Sequence, residues 1–308
     1  MSVFSEKPVA SQSKDGKRLF LKHGPIELVI EAEGATQDDR KAAYHAAHAA
    51  FQTILPQLCG ELALLRSAPE PRRALPESVV GKAMHRTILP FAATNFVTPM
   101  IAVAGSVADH VLQSMRDAAN LTKAYVNNGG DIALYLKGEA TFELGICSDI
   151  ASGVIQKGVT LRADDKVGGV ATSGWKGRSH SLGIADAVTV FADNAATADC
   201  AATLIANAVD VPTAKQIKRQ AAQELSPDSD LGERLVTIGV GPLSGMDIDS
   251  ALSRGAHVAQ RYLESGLIAS AYLSLQGRHR IVSLDKAIAP KILTEFGMHQ
   301  TRHGETHA

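Results

Sequence analysis

The chain has 308 residues, 45% hydrophobic and 20% charged, enough to bury one large core or two smaller ones. Its 31 Lys and Arg balance 32 Asp and Glu, so no global field favours nucleic acid or an anionic membrane. Cys59, Cys147 and Cys200 are odd in number and lack Cys-x-x-Cys spacing, which argues against a disulfide framework or zinc site and for a reducing, cytoplasmic setting.

Met1–Gly16 is polar, lacks the apolar region of a secretory signal and is expected to be a flexible tail. Arg18–His23 and Ile26–Glu31 flank Gly24-Pro25 and read as a hairpin. Ala35–Arg66 reads as a helix with Asp38 and Asp39 near its positive end, kinked or split at Pro56. Ser67–Pro76, with its prolines, is the best candidate linker between two lobes. Thr98-Pro99 opens a helix to about Ala118, with hydroxyl at N-cap and proline at N1. Gly105 sits on its apolar face, where a close backbone approach and a ligand contact are both open. The apolar stretch from Met100 meets Asp109 and His110 too early to span a bilayer.

Strands are predicted at Lys123–Asn127, Ile132–Leu136, Thr141–Cys147, Gly158–Arg162 and Ala185–Phe191. Helices follow at Ala195–Val209 and Thr213–Leu225, the latter carrying Lys215, Lys218 and Arg219 on a solvated face. Leu235–Val240 reads as a strand, Ile248–Ser265 as a helix, and Ile268–Leu275 and Arg280–Leu284 as strands. Runs of strands with helices between them favour α+β layering over a parallel βαβ series. His299, His303 and His307 recur every four residues and could coordinate a metal if helical, but the segment (298–308) has the composition of a flexible tail; the body is then one domain over 17–297.

Three polar islands interrupt this small-residue, apolar background. In Asn127-Asn128-Gly129-Gly130-Asp131, Asn128-Gly129 is a hairpin turn, while Asn127 and Asp131 exceed what a turn requires. Ala171-Thr172-Ser173-Gly174 reads as a loop rich in donors, beside Gly168-Gly169 and without a Walker lysine. His180 behind it can take a proton from an incoming hydroxyl or simply be solvated. Trp175 can stack on an aromatic ring or cap the core, and Cys200 is read as a small buried residue. Asp199 and Thr203, four apart, share a helix face with Cβ atoms roughly 5–6 Å apart. Such a pair suits Mg²⁺ or Ca²⁺, or else Asp199 merely serves the helix's positive end while Thr203 packs.

The order of these islands resembles the ApbE superfamily, the FAD:protein FMN transferases. The matching stretches are Gly105 to Asp109, Asn127 to Asp131, Thr172 to Gly174, His180, and Ala198 to Thr203. The whole looks most like a branch of that superfamily without a signal peptide. The resemblance implies an α+β, T-fold-like architecture of layered antiparallel sheets with packed helices. It implies FAD held by Gly105, Asp109, Asn127, Asn128, Gly129, Gly130, Asp131, Thr172, Ser173 and Gly174. Asp199 and Thr203 would bind Mg²⁺ together with a backbone carbonyl near Val103, and His180 would face the hydroxyl of an acceptor flavoprotein. The implied activity is Mg²⁺-dependent transfer of FMN from FAD; the alternative is a non-catalytic flavin-binding or flavin-delivery protein for the maturation of a redox enzyme. The family's histidine is usually followed by an Asp-Pro pair three or four residues on, whereas this chain reads His180-Ser-Leu-Gly-Ile-Ala-Asp186, with neither the proline nor the acid in register. A third possibility is an unrelated hydrolase or transferase acting on another phosphorylated substrate. The small-residue helices would suit a homodimer, and no nucleic-acid or membrane partner is expected.

Overall fold

The computed structural model describes residues 7–70, 74–147, 149 and 155–283. Val9–Gln12 form strand β1, which pairs antiparallel with β2 (Arg18–His23) rather than continuing the expected tail. In β2 every second residue turns inward, so Leu19, Leu21 and His23 are buried while Arg18, Phe20 and Lys22 face out. β3 (Ile26–Gly34) repeats the alternation and presents Leu28, Ile30 and Ala32 to the same core. Helix α1 (Gln37–Gly60) lies on this layer, its start fixed by a capping box between Thr36 and Asp39.

The short helix α2 (Leu62–Leu65) and then α3 (Val79–Ala92) lead to a 3₁₀ turn at Pro99–Ala102 and helix α4 (Val103–Ala118). β4 (Leu121–Asn128) and β5 (Asp131–Leu136) form the next hairpin, and α4 packs on them through Val107, Ala108, Val111 and Met115. β6 (Thr141–Cys147) and β7 (Ile155–Arg162) make a separate hairpin. β8 (Gly169–Ser173) and β9 (Ala187–Ala192) are followed by helix α5 (Ala195–Ala208). The chain continues through β10 (Ile217–Ala221), α6 (Ala222–Leu225) and β11 (Leu235–Val240) to helix α7 (Gly245–Glu264). β12 (Ser270–Leu275) and β13 (Arg278–Ser283) close it.

Nine strands form one sheet in the order β1-β2-β3-β4-β5-β8-β9-β12-β13, with antiparallel neighbours throughout. One face carries α1, α4, α5 and α7 over two apolar cores. On the other, the β6–β7 hairpin brings Phe142, Ile146, Val159 and Leu161 against Val170, Phe191 and Tyr272. The expectation of layered antiparallel sheets with packed helices is borne out. β5 and β8 pair at only two positions, Ile132↔Val170 and Ala133↔Gly169, so the sheet has a narrow seam between its halves.

Several local expectations are corrected. Pro56 lies inside α1 and does not end it; burial of Ile54, Leu55 and Leu58 outweighs the missing N–H, and the break comes at Glu61. Within the expected linker, residues 71–73 lie outside the described set. Val79–Ala92, for which no element was predicted, is helical from a Ser78 cap whose Oγ accepts the Gly81 N–H at 3.0 Å. Thr98 makes no side-chain cap, because its hydroxyl donates to Asp230. Ala171–Ser173, expected as loop, belongs to β8. Thr213–Leu225 is not one helix: β10 zips onto β11 from Ile217↔Val240 to Ala221↔Leu235, and Arg219 pairs with Asp210. Strand pairing there overrides local helix propensity. His299, His303 and His307, expected in a flexible tail, lie outside the described residues.

Glu61 ties the end of α1 to the start of α3, accepting from the backbone N–H groups of Glu77 and Ser78 and from the Ser78 hydroxyl. Its partial burial would raise the carboxyl, yet the Ser78 and Glu77 hydrogen bonds prevail and hold it below the usual range. Glu61→Gln should cost about 1–2 kcal/mol at pH 7. The folded pKa is depressed, so this stabilisation is present above the unfolded value and lost as pH falls through the folded one. Urea midpoints should therefore converge for the two proteins in acid; a deficit unchanged at low pH would contradict the assignment.

Candidate functional site

The two central helices cap one another. Asp109, on α4, accepts the first N–H groups of α5, from Ala195 at 3.0 Å and Ala196 at 2.9 Å. Asn194 takes the next, from Thr197 at 2.8 Å, so the start of α5 is satisfied. Asp199, on α5, returns the arrangement by accepting the Gly105 N–H at 3.0 Å near the start of α4, with the Ala104 N–H beside it. Asn128, buried at the end of β4, donates to the Ala104 carbonyl at 3.1 Å. Gly105 permits the contact: a Cβ there would stand 2.3 Å from the Ala195 carbonyl oxygen. Gly169 does the same from β8, since its Cβ would lie 2.1 Å from the Ala195 nitrogen. The sheet seam and both helix starts therefore meet at one point.

Asp131 opens β5 at this point. The tight turn uses Gly129 (φ 69°) and Gly130 (φ 116°), one residue later than the predicted Asn128-Gly129. Asn127 serves it by accepting the Gly130 N–H at 2.9 Å. Burial pushes the Asp131 carboxyl up to about 7, against the nearby Arg178 charge and a hydrogen bond from the Thr172 N–H. Asp199 rises well above the usual range, first through burial and then through the Asp131 charge, with Asp109 contributing. Burial likewise takes Asp109 to about 6, although the Ala196 and Ala195 N–H groups oppose it. Each of the three residues is half-buried as a whole rather than sealed in the core.

Between the unfolded and folded pKa values of Asp131 the native state holds a proton that the unfolded chain has lost, so stability falls as pH rises across that window. Asp131→Asn keeps an acceptor for Thr172. It is expected to stabilise the metal-free protein at pH 8 by about 2 kcal/mol, a tenfold change in proton affinity being worth ~1.4 kcal/mol before solvent relaxation. The gain should fade toward pH 4 in urea titrations; no gain at pH 8 would count against the burial penalty on the Asp131 charge.

The structure thus brings together Gly105, Asp109, Asn128, Asp131, the Thr172 backbone and Asp199, with Asn127, Gly129 and Gly130 forming the adjoining turn. The Thr172 hydroxyl instead meets Thr189 Oγ1 at 2.9 Å, Ser173 ends β8, and Gly174 packs against the Asp186 carbonyl. Thr203 lies one helical turn beyond Asp199. His180 is not joined to the carboxylates by any hydrogen bond: its Nε2 meets Ser226 Oγ at 3.2 Å. The next residues, Ser181 and Leu182, are held by Asn207 Oδ1. Asn207 is eight positions beyond Asp199 on α5, roughly 12 Å along the axis. Arg178 was missed by the sequence reading. Its guanidinium covers the turn, where a Gly129 Cβ would lie 3.1 Å from Nη2, and it faces the Asp131 charge.

An antiparallel α+β protein with three half-buried carboxylates at the junction of two helices and a sheet seam is the class these features define. The family described as AbpE bacteria matches residues 10–281, and the chain belongs to that family. The resemblance drawn from the order of the polar islands is borne out. Among relatives, a UPF0280 protein of Methanococcoides burtonii is 40% identical over 116 residues, covering 37% of this chain and 47% of that one. A UPF0280 protein of Methanothermobacter thermautotrophicus is 39% identical over 116 residues, covering 38% and 44%. The match spans about half the length of those relatives. Among solved structures, the apo flavinyl transferase ApbE of Pseudomonas stutzeri aligns over 97% of this chain and 100% of its own, with TM-score 0.47 and 12% identity. The flavin transferase ApbE of Vibrio cholerae aligns over 92% and 99%, with TM-score 0.36 and 12% identity.

Proposed function

We propose that this chain binds FAD with a divalent cation and transfers FMN to a hydroxyl of a partner flavoprotein. Family membership supports the chemistry, and one observation carries the location. Asp109 and Asp131, from two other elements, both lie close enough to act on Asp199, Arg178 faces Asp131, and burial raises all three carboxyl groups. Among the described residues no group of three His, Cys, Asp or Glu is arranged to hold a metal by itself. Asp109 accepts two N–H groups at the start of α5 and Asp199 those at the start of α4, and a carboxylate so engaged still has lone pairs for one further partner. The fit is therefore to a cation held by few protein ligands, Asp199 and Thr203 with a backbone carbonyl, the rest of its shell coming from phosphate and water; Mg²⁺ binds in that way. When bound, the ion would neutralise charge on the diphosphate and on departing AMP.

The protein's own groups do the remaining work. Arg178 suits a phosphate oxygen through its planar fork. The acceptor hydroxyl oxygen would bond to the FMN phosphorus as the P–O bond to AMP breaks, its proton passing to His180 Nε2. That nitrogen meets a hydroxyl, Ser226, at 3.2 Å. Positioning and charge neutralisation supply most of such an acceleration.

A second proposal has its own support: His180 lies toward the far end of α5 from Asp199, an arrangement that suits a flavin-binding or flavin-delivery protein without transfer. Incubation with FAD, Mg²⁺ and candidate acceptors separates the two. Release of AMP with acid-stable flavin on the acceptor is the result expected of a transferase. FAD binding without AMP release would leave the carrier, AMP without labelled acceptor would mean pyrophosphate hydrolysis, and no flavin affinity would remove both flavin proposals. Among the described residues no helix is long and apolar enough to cross a membrane. A cytoplasmic location is proposed from the cysteine usage and the balanced charge, and a homodimer from the small-residue helices.

A further inference from the structure

Ser226 and His180 form a hydroxyl–imidazole pair outside the carboxylate junction: Ser226 Oγ lies 3.2 Å from His180 Nε2, across 46 residues of sequence. Backbone bonds fix both partners. Ser226 ends α6, where its N–H donates to the Ala222 carbonyl at 2.9 Å. Its own carbonyl accepts the Ser229 N–H at 2.9 Å, across a turn that holds Pro227. The Ala222 N–H in turn ties α6 to the Arg234 carbonyl at 2.9 Å. On the other side, Asn207 Oδ1 accepts the Leu182 N–H at 2.8 Å, and the Ser181 carbonyl accepts the Thr237 N–H at 2.8 Å. The contact is therefore set by the fold. It is also open to solvent, since Ser226 is half-buried while Leu225, Pro227 and Asp228 beside it are exposed.

A serine hydroxyl whose proton can pass to an imidazole nitrogen is an activated nucleophile. The loop before His180 indicates its electrophile. Arg178 faces the Asp131 charge, and its planar fork suits a phosphate oxygen. It precedes His180 by two residues, at most about 7 Å of chain, so a phosphate held by Arg178 has the pair nearby. We propose that Ser226 is itself an acceptor of FMN, which makes this chain its own substrate. The inference deepens the transfer reaction proposed above and rests on it. Ser226 Oγ would bond to the FMN phosphorus as the P–O bond to AMP breaks. The hydroxyl proton passes to His180 Nε2, AMP leaves as the anion, and nothing is oxidised or reduced. The product is FMN joined to Ser226 as a phosphodiester.

Full-length protein incubated with FAD and Mg²⁺, and no other protein, should gain the mass of one FMN less one water. Peptide mapping of this wild-type product should place the adduct on Ser226, so the assignment does not depend on any variant folding. Ser226→Ala should lose the adduct, whereas Ser229→Ala, in the same turn, should keep it. His180→Gln should slow its formation by roughly a hundredfold or more, the scale of a lost general base. An alkyl fluorophosphonate is a phosphorus electrophile that needs neither FAD nor a cation. It should label Ser226 in the wild type and not in His180→Gln. An adduct mapped to another residue, or flavin on an added acceptor with none on this chain, would overturn the assignment and leave the transferase standing. Fluorophosphonate labelling without an FMN adduct would keep a nucleophilic serine and overturn its role as flavin acceptor. FAD binding without AMP release would overturn the assignment together with the transfer reaction, and no FAD affinity would overturn the carrier as well.

Discussion

Gly105→Ala is expected to destabilise the protein by about 3 kcal/mol or more, the upper range for overpacking when backbone rather than a side chain must yield. The added methyl carbon would lie 2.3 Å from the Ala195 carbonyl oxygen, 2.4 Å from its carbon and 2.6 Å from the Ala196 Cα. Relief requires α5 to withdraw from α4, and two fastenings oppose this. Asp109 holds the Ala195 and Ala196 N–H groups, and Gly169 on the sheet presses the same turn from below. Withdrawal would also strip the Gly105 N–H from Asp199. The helix propensity gained by replacing glycine, ~1 kcal/mol, is too small to compensate. Gly60→Ala supplies the control, because nothing lies within 4 Å of that site and only propensity changes. Urea denaturation should find Gly60→Ala close to wild type and Gly105→Ala several kcal/mol weaker or insoluble. A Gly105→Ala protein within about 0.5 kcal/mol of wild type would show that the helix starts are not clasped as described.

How much of this was readable beforehand depends on the range of the interaction. β2, β3, β11 and α5 were legible because alternation, caps and turn residues are local signals. Gly105 and the Asn127–Asp131 segment were singled out for being unlike their surroundings. Their partners lie far along the chain: Gly105 N–H to Asp199 joins residues 94 apart, and Asp109 to Ala195 joins residues 86 apart. No local pattern announces that Asp109 caps a different helix. β8 was misjudged because Ala171-Thr172-Ser173-Gly174 has loop composition, and only its pairing with β9 makes it a strand. β10 was misjudged for the opposite reason, its helix-favouring residues being captured by β11. Ser78 was an available signal for α3 that went unused. Arg178 had no signal at all, since an exposed arginine in a loop is ordinary until the fold brings Asp131 beside it.

Asp199→Asn should separate the structural and chemical roles of that residue. Its amide oxygen can still accept the Gly105 N–H, so the α4 start remains capped and the backbone has no reason to move. Burial and the neighbouring Asp131 charge both disfavour the ionised carboxylate, so loss of the charge should leave stability at pH 8 unchanged or raised. Cation affinity should behave otherwise. A carboxylate ligand must be ionised to bind Mg²⁺, and even partners of metal ligands cost 10–100-fold when removed, so loss of the ligand itself is expected to weaken Mg²⁺-dependent FAD binding by about a hundredfold or more. The raised carboxyl groups add a second signature. Wild-type binding should tighten between pH 6 and pH 8 as Asp131, near 7, and Asp109, near 6, give up protons. Calorimetric titration of FAD with and without Mg²⁺, across that range, reads both effects. A variant that folds normally yet keeps the wild-type Mg²⁺ dependence would leave Asp199 as a helix cap alone and remove the proposed cation from this junction.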